Sequence, residues 1–162
     1  MPNLFLKPSR RHFLVFSGTA LLLAGCSTTA VLAPTPGAQD ETAAALALVN
    51  KLRGSKGLSA LALDAPARKA AAVQAVRMAK AGEMSHLIGL GDSFGRRMAK
   101  SDVTLPAAEN IASGQASVDA AVEAWIDSPK HLKNMLGSYK GLGVAVARSS
   151  DGRNYWAMVL SG

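Results

Sequence analysis

The pattern near the C-terminal end constrains this chain most. Leu142, Val144 and Val146 alternate with smaller residues, the period of a half-buried strand. Asp151-Gly152 marks a turn, and Tyr155 to Leu160 follows as an unbroken apolar run. A strand apolar throughout belongs at the centre of a sheet. One more short strand reads from Ala108 to Ala112; the rest of the domain reads as helix or loop. The expected fold class is α+β: an α-β-α sandwich with a small three- to four-stranded antiparallel sheet flanked by helices.

The helices announce themselves in order. Asp40 and Glu41 place acid at a helix start, and Ala45, Leu48, Val49 and Leu52 mark one face of a helix ending near Gly54. Ser55 to Leu63 reads as a loop pinned to the core by Leu58, Leu61 and Leu63. Asp64 followed by Pro66 opens an alanine-rich helix that stops at Gly82. A glycine-rich loop carrying His86 leads to a short helix from Ser93 to Lys100. Ser117 caps the next helix, whose apolar stripe is Val118, Val122, Trp125 and Ile126. Ser128-Pro129 ends it and starts another short helix through Asn134.

Residues 1–26 read as an export leader. Lys7, Arg10 and Arg11 form its basic region and Phe13 to Ala24 its apolar stretch, short of the ~20 residues a membrane-spanning helix needs. Leu23-Ala24-Gly25-Cys26 resembles a bacterial lipobox, in which the cysteine is alkylated with diacylglycerol and becomes the acylated N-terminus. Cys26 is the only cysteine, so no internal disulfide can form and the fold must stand on its apolar core. Ser9-Arg10-Arg11-His12-Phe13-Leu14 fits a twin-arginine export motif; an ordinary secretion leader with two basic residues is the other reading. Residues 27–39 are rich in Ser, Thr, Pro and Gly and read as a flexible tether, leaving 40–162 as the domain. The expected location is the bacterial cell envelope, with Cys26 holding the protein to a membrane through lipid. Ser27 after the cysteine favours the outer membrane.

The formal charge is +7, of which the leader supplies three. Arg68, Lys69, Arg77, Lys80, Arg96, Arg97, Lys100, Lys130 and Lys133 read as scattered surface cations. A nucleic-acid partner would want them on one face with aromatics to stack on, and that pattern is missing.

The polar residues able to do chemistry are few. His86 lies in the glycine-rich loop, Glu109 and Asn110 lie on the short strand, and His131 and Asn134 lie on the last helix. Two imidazoles and one carboxylate can bind a divalent metal or perform acid–base work. They can equally form a structural hydrogen-bonded network, and the spacing does not choose. There is no HExxH pair, and Gly114-Gln-Ala-Ser117 is not a nucleophile elbow.

Five short motifs occur in a telling order: Met84-Ser85-His86, Ala108-Glu109-Asn110-Ile111, Ala124-Trp125 through Leu136, Gly141-Leu142-Gly143-Val144 and Tyr155-Trp156-Ala157-Met158-Val159. Together they resemble the CAP superfamily, or SCP domain, of cysteine-rich secretory and pathogenesis-related proteins, and most of all its cysteine-free bacterial branch. The resemblance implies an α-β-α sandwich with a central cleft lined by His86, Glu109 and His131, with Trp125 and Asn134 as scaffold. It implies that zinc or another divalent cation can rest on His86 and His131. It names no single activity; lipid or sterol binding, peptidase activity and cell-wall or host interaction are all ascribed to members. A second acid common in relatives is replaced by Ser128, and a frequent Gln by Met158. The missing acid weakens a general acid/base mechanism, which needs paired groups.

Three functional expectations follow. The first is a non-enzymatic, lipid-anchored envelope protein whose cleft binds a lipid, an envelope polysaccharide or a divalent metal. The second is a metal-dependent hydrolase of envelope material with Glu109 as catalytic base. The third is a structural envelope module without ligand chemistry.

Overall fold

A computed structural model describes Met1 and residues 35–162. The leader, Cys26 with its lipobox, the twin-arginine motif and most of the tether lie outside the described residues. Residues 35–162 belong to one compact unit.

The elements run β1 (Ala38–Asp40), α1 (Thr42–Ser55), β2 (Ala62–Leu63), α2 (Ala65–Ala81), α3 (Phe94–Lys100), β3 (Ala107–Ser113), α4 (Val118–Ile126), α5 (Pro129–Met135), β4 (Gly141–Arg148) and β5 (Asn154–Ser161). The capping chemistry agrees with the sequence. Asp64 accepts from the Ala67 amide at 3.0 Å with Pro66 in the first turn, and Gly82 closes α2 in the left-handed conformation. Ser93 and Ser117 cap α3 and α4 in the same way.

The sheet is antiparallel in the order β1-β4-β5-β3, so β5 is flanked on both sides as its apolar run requires. A fifth strand, β2, pairs in parallel with the first residues of β4. The four antiparallel strands are the sheet the sequence leads one to expect, and β2 adds a short parallel pairing at its margin. β2 has only two residues and β1 only three, too short for any periodicity to reveal. β1 also takes Ala38 and Gln39 from the stretch read as tether, so the domain begins before residue 40.

β4 was expected to be half-buried and is buried on both faces. Leu142 and Val144 pack with Trp156, Met158 and Leu160 against α1, α4 and α5. On the other face Ala145, Ala147, Ala157 and Val159 meet the alanines of α2. Gly143 belongs to this α2 face, and a Cβ built there would collide with the backbone of Ala67 and Arg68. The small residues of the alternation are the contact surface of a helix lying directly on the sheet.

Of the three leucines expected to pin the 55–63 loop, Leu61 alone is buried; Leu58 and Leu63 are exposed. Leu61 is held through its backbone, donating to Asn50 Oδ1 at 2.8 Å and accepting from Asn50 Nδ2 at 2.9 Å. Arg53 is buried and donates to the carbonyls of Ser59, Met135 and Gly137, joining α1 to the end of α5. Among the described residues every strand and both cores lie within Ala38–Ser161, so residues 35–162 are a folding unit of their own.

Candidate functional site

β3 lies at one edge of the sheet, and its alternation sends neighbouring side chains to opposite faces. Glu109 pairs across the sheet with Val159 on the α2 face; Asn110 pairs with Met158 on the face of α1, α4 and α5. Two adjacent residues therefore serve two different helical layers.

On the first face Glu109 is the acceptor at the centre of a charged network. Its side chain is 2% exposed, and Arg97 of α3 donates to both carboxylate oxygens, at 2.6 and 3.0 Å. Such bidentate pairing is the strong form of a charge-assisted hydrogen bond. His86 Nδ1 lies 2.8 Å from the same Oε1, with half of the imidazole exposed. The loop carrying His86 is held from below. Gln74 donates to the Ser85 carbonyl at 2.8 Å, Arg97 to the His86 carbonyl at 2.9 Å and Arg77 to the Ile88 carbonyl at 2.7 Å. Asp92 ties the far end of the loop, pairing with Arg77 at 2.5 Å and accepting from the Ile88 amide at 2.9 Å. Burial pushes the Asp92 carboxyl up. The hydrogen bonds from Arg77 and Ile88 and the charges of Arg77 and Arg97 outweigh it and hold the group below its ordinary value.

On the second face Asn110 is fully buried and donates to the His131 carbonyl at 3.1 Å, while Asn134 donates to Asn110 Oδ1 at 2.8 Å. The amide of β3 thus docks α5 by both ends of its side chain. Trp125 donates its indole N–H to the Ile111 carbonyl at 3.0 Å, fastening α4 to the edge strand. Burial, and then the charge of His86, push the His131 imidazole below its ordinary value. Among the described residues its buried Nδ1 has no hydrogen-bond partner.

A cleft of about 320 Å³ opens between these layers, lined by His86, Phe94, Ala108, Glu109 and Asn134. Asn134, read as scaffold, is part of its wall. His86 and Glu109 meet directly, whereas His131, expected in the same wall, is not among the residues that line the cleft. A larger hollow of about 560 Å³ beside β1, bordered by Gln39, Ser117, Arg148 and Trp156, shares no residue with it.

The sequence missed Arg97, which it placed among scattered surface cations. Its side chain is only 10% exposed, stacked 5.7 Å from the Phe94 ring centre. The available signal was its place on a short helix directly after the histidine loop. The second acid absent at Ser128 is not supplied by Asp127, which is exposed at the end of α4.

The donor set limits what a metal could find here. No group of three or more His, Cys, Asp or Glu side chains able to hold an ion forms among the described residues. Both oxygens of Glu109 are already engaged, so a zinc ion would rest on His86 and His131 with Glu109 behind His86. A carboxylate bonded to the far nitrogen of a ligating histidine is the usual outer-sphere arrangement. Two histidines without further side-chain donors do not fit a closed structural zinc site, which takes four protein ligands.

The layered fold and the His/Glu cleft define an α-β-α sandwich of the SCP type. The Cysteine-rich secretory protein family profile matches residues 46–160, and the chain belongs to this family, CAP. A curated relative, the uncharacterized membrane protein YlbC of Bacillus subtilis, is 34% identical over 112 residues; these are 68% of this chain and 32% of the relative's length. The chain therefore spans about a third of that protein. Among solved structures, an extracellular SCP-domain protein of Bacillus anthracis superposes with a TM-score of 0.65 at 26% identity, over 75% of this chain and 40% of that one. An outer surface protein of Borrelia burgdorferi gives 0.64 at 21% identity over 72% and 87%, a likeness of fold.

Proposed function

We propose that this chain is an exported, lipid-anchored envelope protein whose cleft binds a ligand without turning it over. The observation that carries this reading is Arg97's hold on both oxygens of Glu109. A general base needs an oxygen free to take a proton from an attacking water. Here one oxygen is shared by Arg97 and His86 and the other faces Arg97. No second carboxylate lines the cleft to act as acid: position 128 is serine, and Asp127 is exposed at the end of α4. What faces the cleft is the free edge of His86 and the amide of Asn134, a small hydrogen-bonding wall beside Phe94. That wall suits the hydroxyl groups of an envelope polysaccharide or the polar head of a lipid. Export is supported by the leader and by relatives described as an outer surface protein, an extracellular protein and a membrane protein.

The test incubates residues 35–162 with peptidoglycan fragments and with envelope lipid extract, following both retention and product release. Retention without products, weakened by His86→Ala and nearly intact in Glu109→Gln, is expected. Products that disappear in Glu109→Gln would establish the hydrolase instead. The unpartnered His131 Nδ1 favours a second reading, a divalent ion on His86 and His131. Its chemistry would be to polarise a ligand oxygen. Calorimetry with zinc decides it: stoichiometric binding lost in both His86→Ala and His131→Ala supports the ion, and no heat removes it. The anchor is tested separately, since Cys26→Ala should move the full chain from membranes to the soluble fraction.

A further inference from the structure

The loop between α2 and α3 spends many hydrogen bonds to hold apolar side chains in water. Gln74, Arg77 and Arg97 donate to the backbone carbonyls of Ser85, Ile88 and His86, and Asp92 accepts from the Ile88 amide. Ile88 packs inward against the core of the α2 face. Met84, Leu87 and Leu90 do the opposite: they are 51%, 54% and 107% exposed. Gly89 and Gly91 both take positive φ and present Leu90 between two tight bends. A single exposed leucine needs no explanation. Three large apolar side chains within seven residues, on a backbone fixed from beneath, form a preset surface.

The exposed charge around the loop is basic by a single unit. Asp92 and Glu109 are neutralised by Arg77 and Arg97. Lys80, Arg96 and Lys100 are exposed, against Glu83 within the loop and Asp102 beyond α3. The Arg96 guanidinium lies against Gly91, 3.9 Å from where a Cβ would stand, and so flanks Leu90. Apolar side chains at a loop tip with cations at its shoulder complement a bilayer with anionic headgroups, where each cation near the surface contributes about 1 kcal/mol. A second copy of the chain is a poorer match. It would bring the same cations, and three side chains cannot bury the ~1,200 Å² of a stable interface.

We propose that residues 83–92 form a membrane-docking loop that sinks Met84, Leu87 and Leu90 into the interfacial layer of an anionic lipid surface, with Arg96, Lys80 and Lys100 against the phosphates. This attachment is separate from any lipid on Cys26 and from ligand binding in the cleft, because the three side chains take no part in the His86–Glu109 network.

The test is flotation of residues 35–162, which lack the leader and Cys26, with vesicles of phosphatidylcholine alone or mixed equally with phosphatidylglycerol. The mixed vesicles should carry the protein and the neutral ones hold it weakly. Leu87→Ser and Leu90→Ser should each lower partitioning about tenfold, the consequence of losing one apolar side chain from the interface. Arg96→Gln should lower it about fivefold and only on anionic vesicles. All three positions are solvent-facing, so melting temperatures should stay at the wild-type value and a loss of binding cannot be a loss of fold. No partitioning at all, partitioning unchanged in the leucine variants, or equal affinity for neutral vesicles would each overturn the proposal. So would vesicle-free dimerisation that Leu90→Ser abolishes, which would assign the loop to a second copy.

Discussion

Across one face of the sheet, α2 lies on glycine and alanine; across the other, α1, α4 and α5 lie on leucine, methionine and tryptophan. The first contact is made by backbone approaching backbone, and Gly143 leaves no room for even a methyl group. The second is made by side-chain volume, with Trp125, Met135, Leu142, Met158 and Leu160 all buried. The difference teaches where each layer gets its position. The α2 layer is placed by the absence of side chains, and the loop and α3 that follow it are fastened by ion pairs around Glu109 and Asp92. The α4–α5 layer is placed by the shape of large side chains and then fastened by neutral hydrogen bonds from Asn110 and Trp125. The cleft lies where these two kinds of layer meet along β3.

Removing volume should hurt the second face most. Trp125→Ala should cost about 4 kcal/mol in urea unfolding, since it empties a large site and strips the Ile111 carbonyl of its partner. Ala71→Gly, equally buried but on the α2 face, should cost at most about 1 kcal/mol. Similar losses for the two would dissolve the contrast. The ion pairs can be broken next. Arg97→Ala should cost about 3 kcal/mol because it strands a buried carboxylate, and adding Glu109→Gln should restore part of that. Equal destabilisation in the single and double variants would mean that Arg97 contributes packing alone. Adding volume tests the close approach: Gly143→Ala should cost about 2 kcal/mol as α2 is pushed off the sheet. A neutral result would show that α2 shifts freely.

The smallest effects should appear with pH, and they separate the two layers again. His131, on the α5 side, is held below its ordinary 6.5 by burial and by the His86 charge. The unfolded chain therefore takes up this proton first. The stability contributed by neutral His131 is complete above about 6.5 and is lost as pH falls through the lower folded value. Asp92, on the α2–α3 side, is held below its ordinary 3.8, so its contribution is complete above that value and is lost only in stronger acid. Asp40, bonded to Thr42 and Arg68, titrates in the same acidic window. Unfolding midpoints followed from neutral to acid pH should fall in two stages. His131→Gln should remove the first, and Asp92→Asn should shrink the second. A flat profile through mildly acidic pH would contradict the burial of His131.

Much of the fold was legible because its signals are local. Asp64 with Pro66, Ser117 and Gly82 act within one turn of chain, and the apolar run at Tyr155–Leu160 marks a central strand wherever the rest goes. β1 and β2 were not legible, because two or three residues pair only when β4 is already beside them. His86 and Glu109 were found as types of residue able to do chemistry. Arg97 was not, because an arginine that neutralises a carboxylate reads the same in sequence as one facing water. Two loop leucines mislead for the same reason: Leu58 and Leu63 are apolar, and nothing local says that they stay in solvent.

Alone, the sequence determined the order of the helices and of the three longer strands, the central place of β5, the caps, and the residue types available for chemistry, since these depend on propensity and spacing over a few residues. Only the tertiary structure decided that Glu109 and Asn110 serve opposite layers, that Arg97 occupies the carboxylate, and that a glycine sets the distance of α2 from the sheet. Those outcomes depend on contacts between residues far apart in the chain, and on which face of a buried strand each of two neighbours must take.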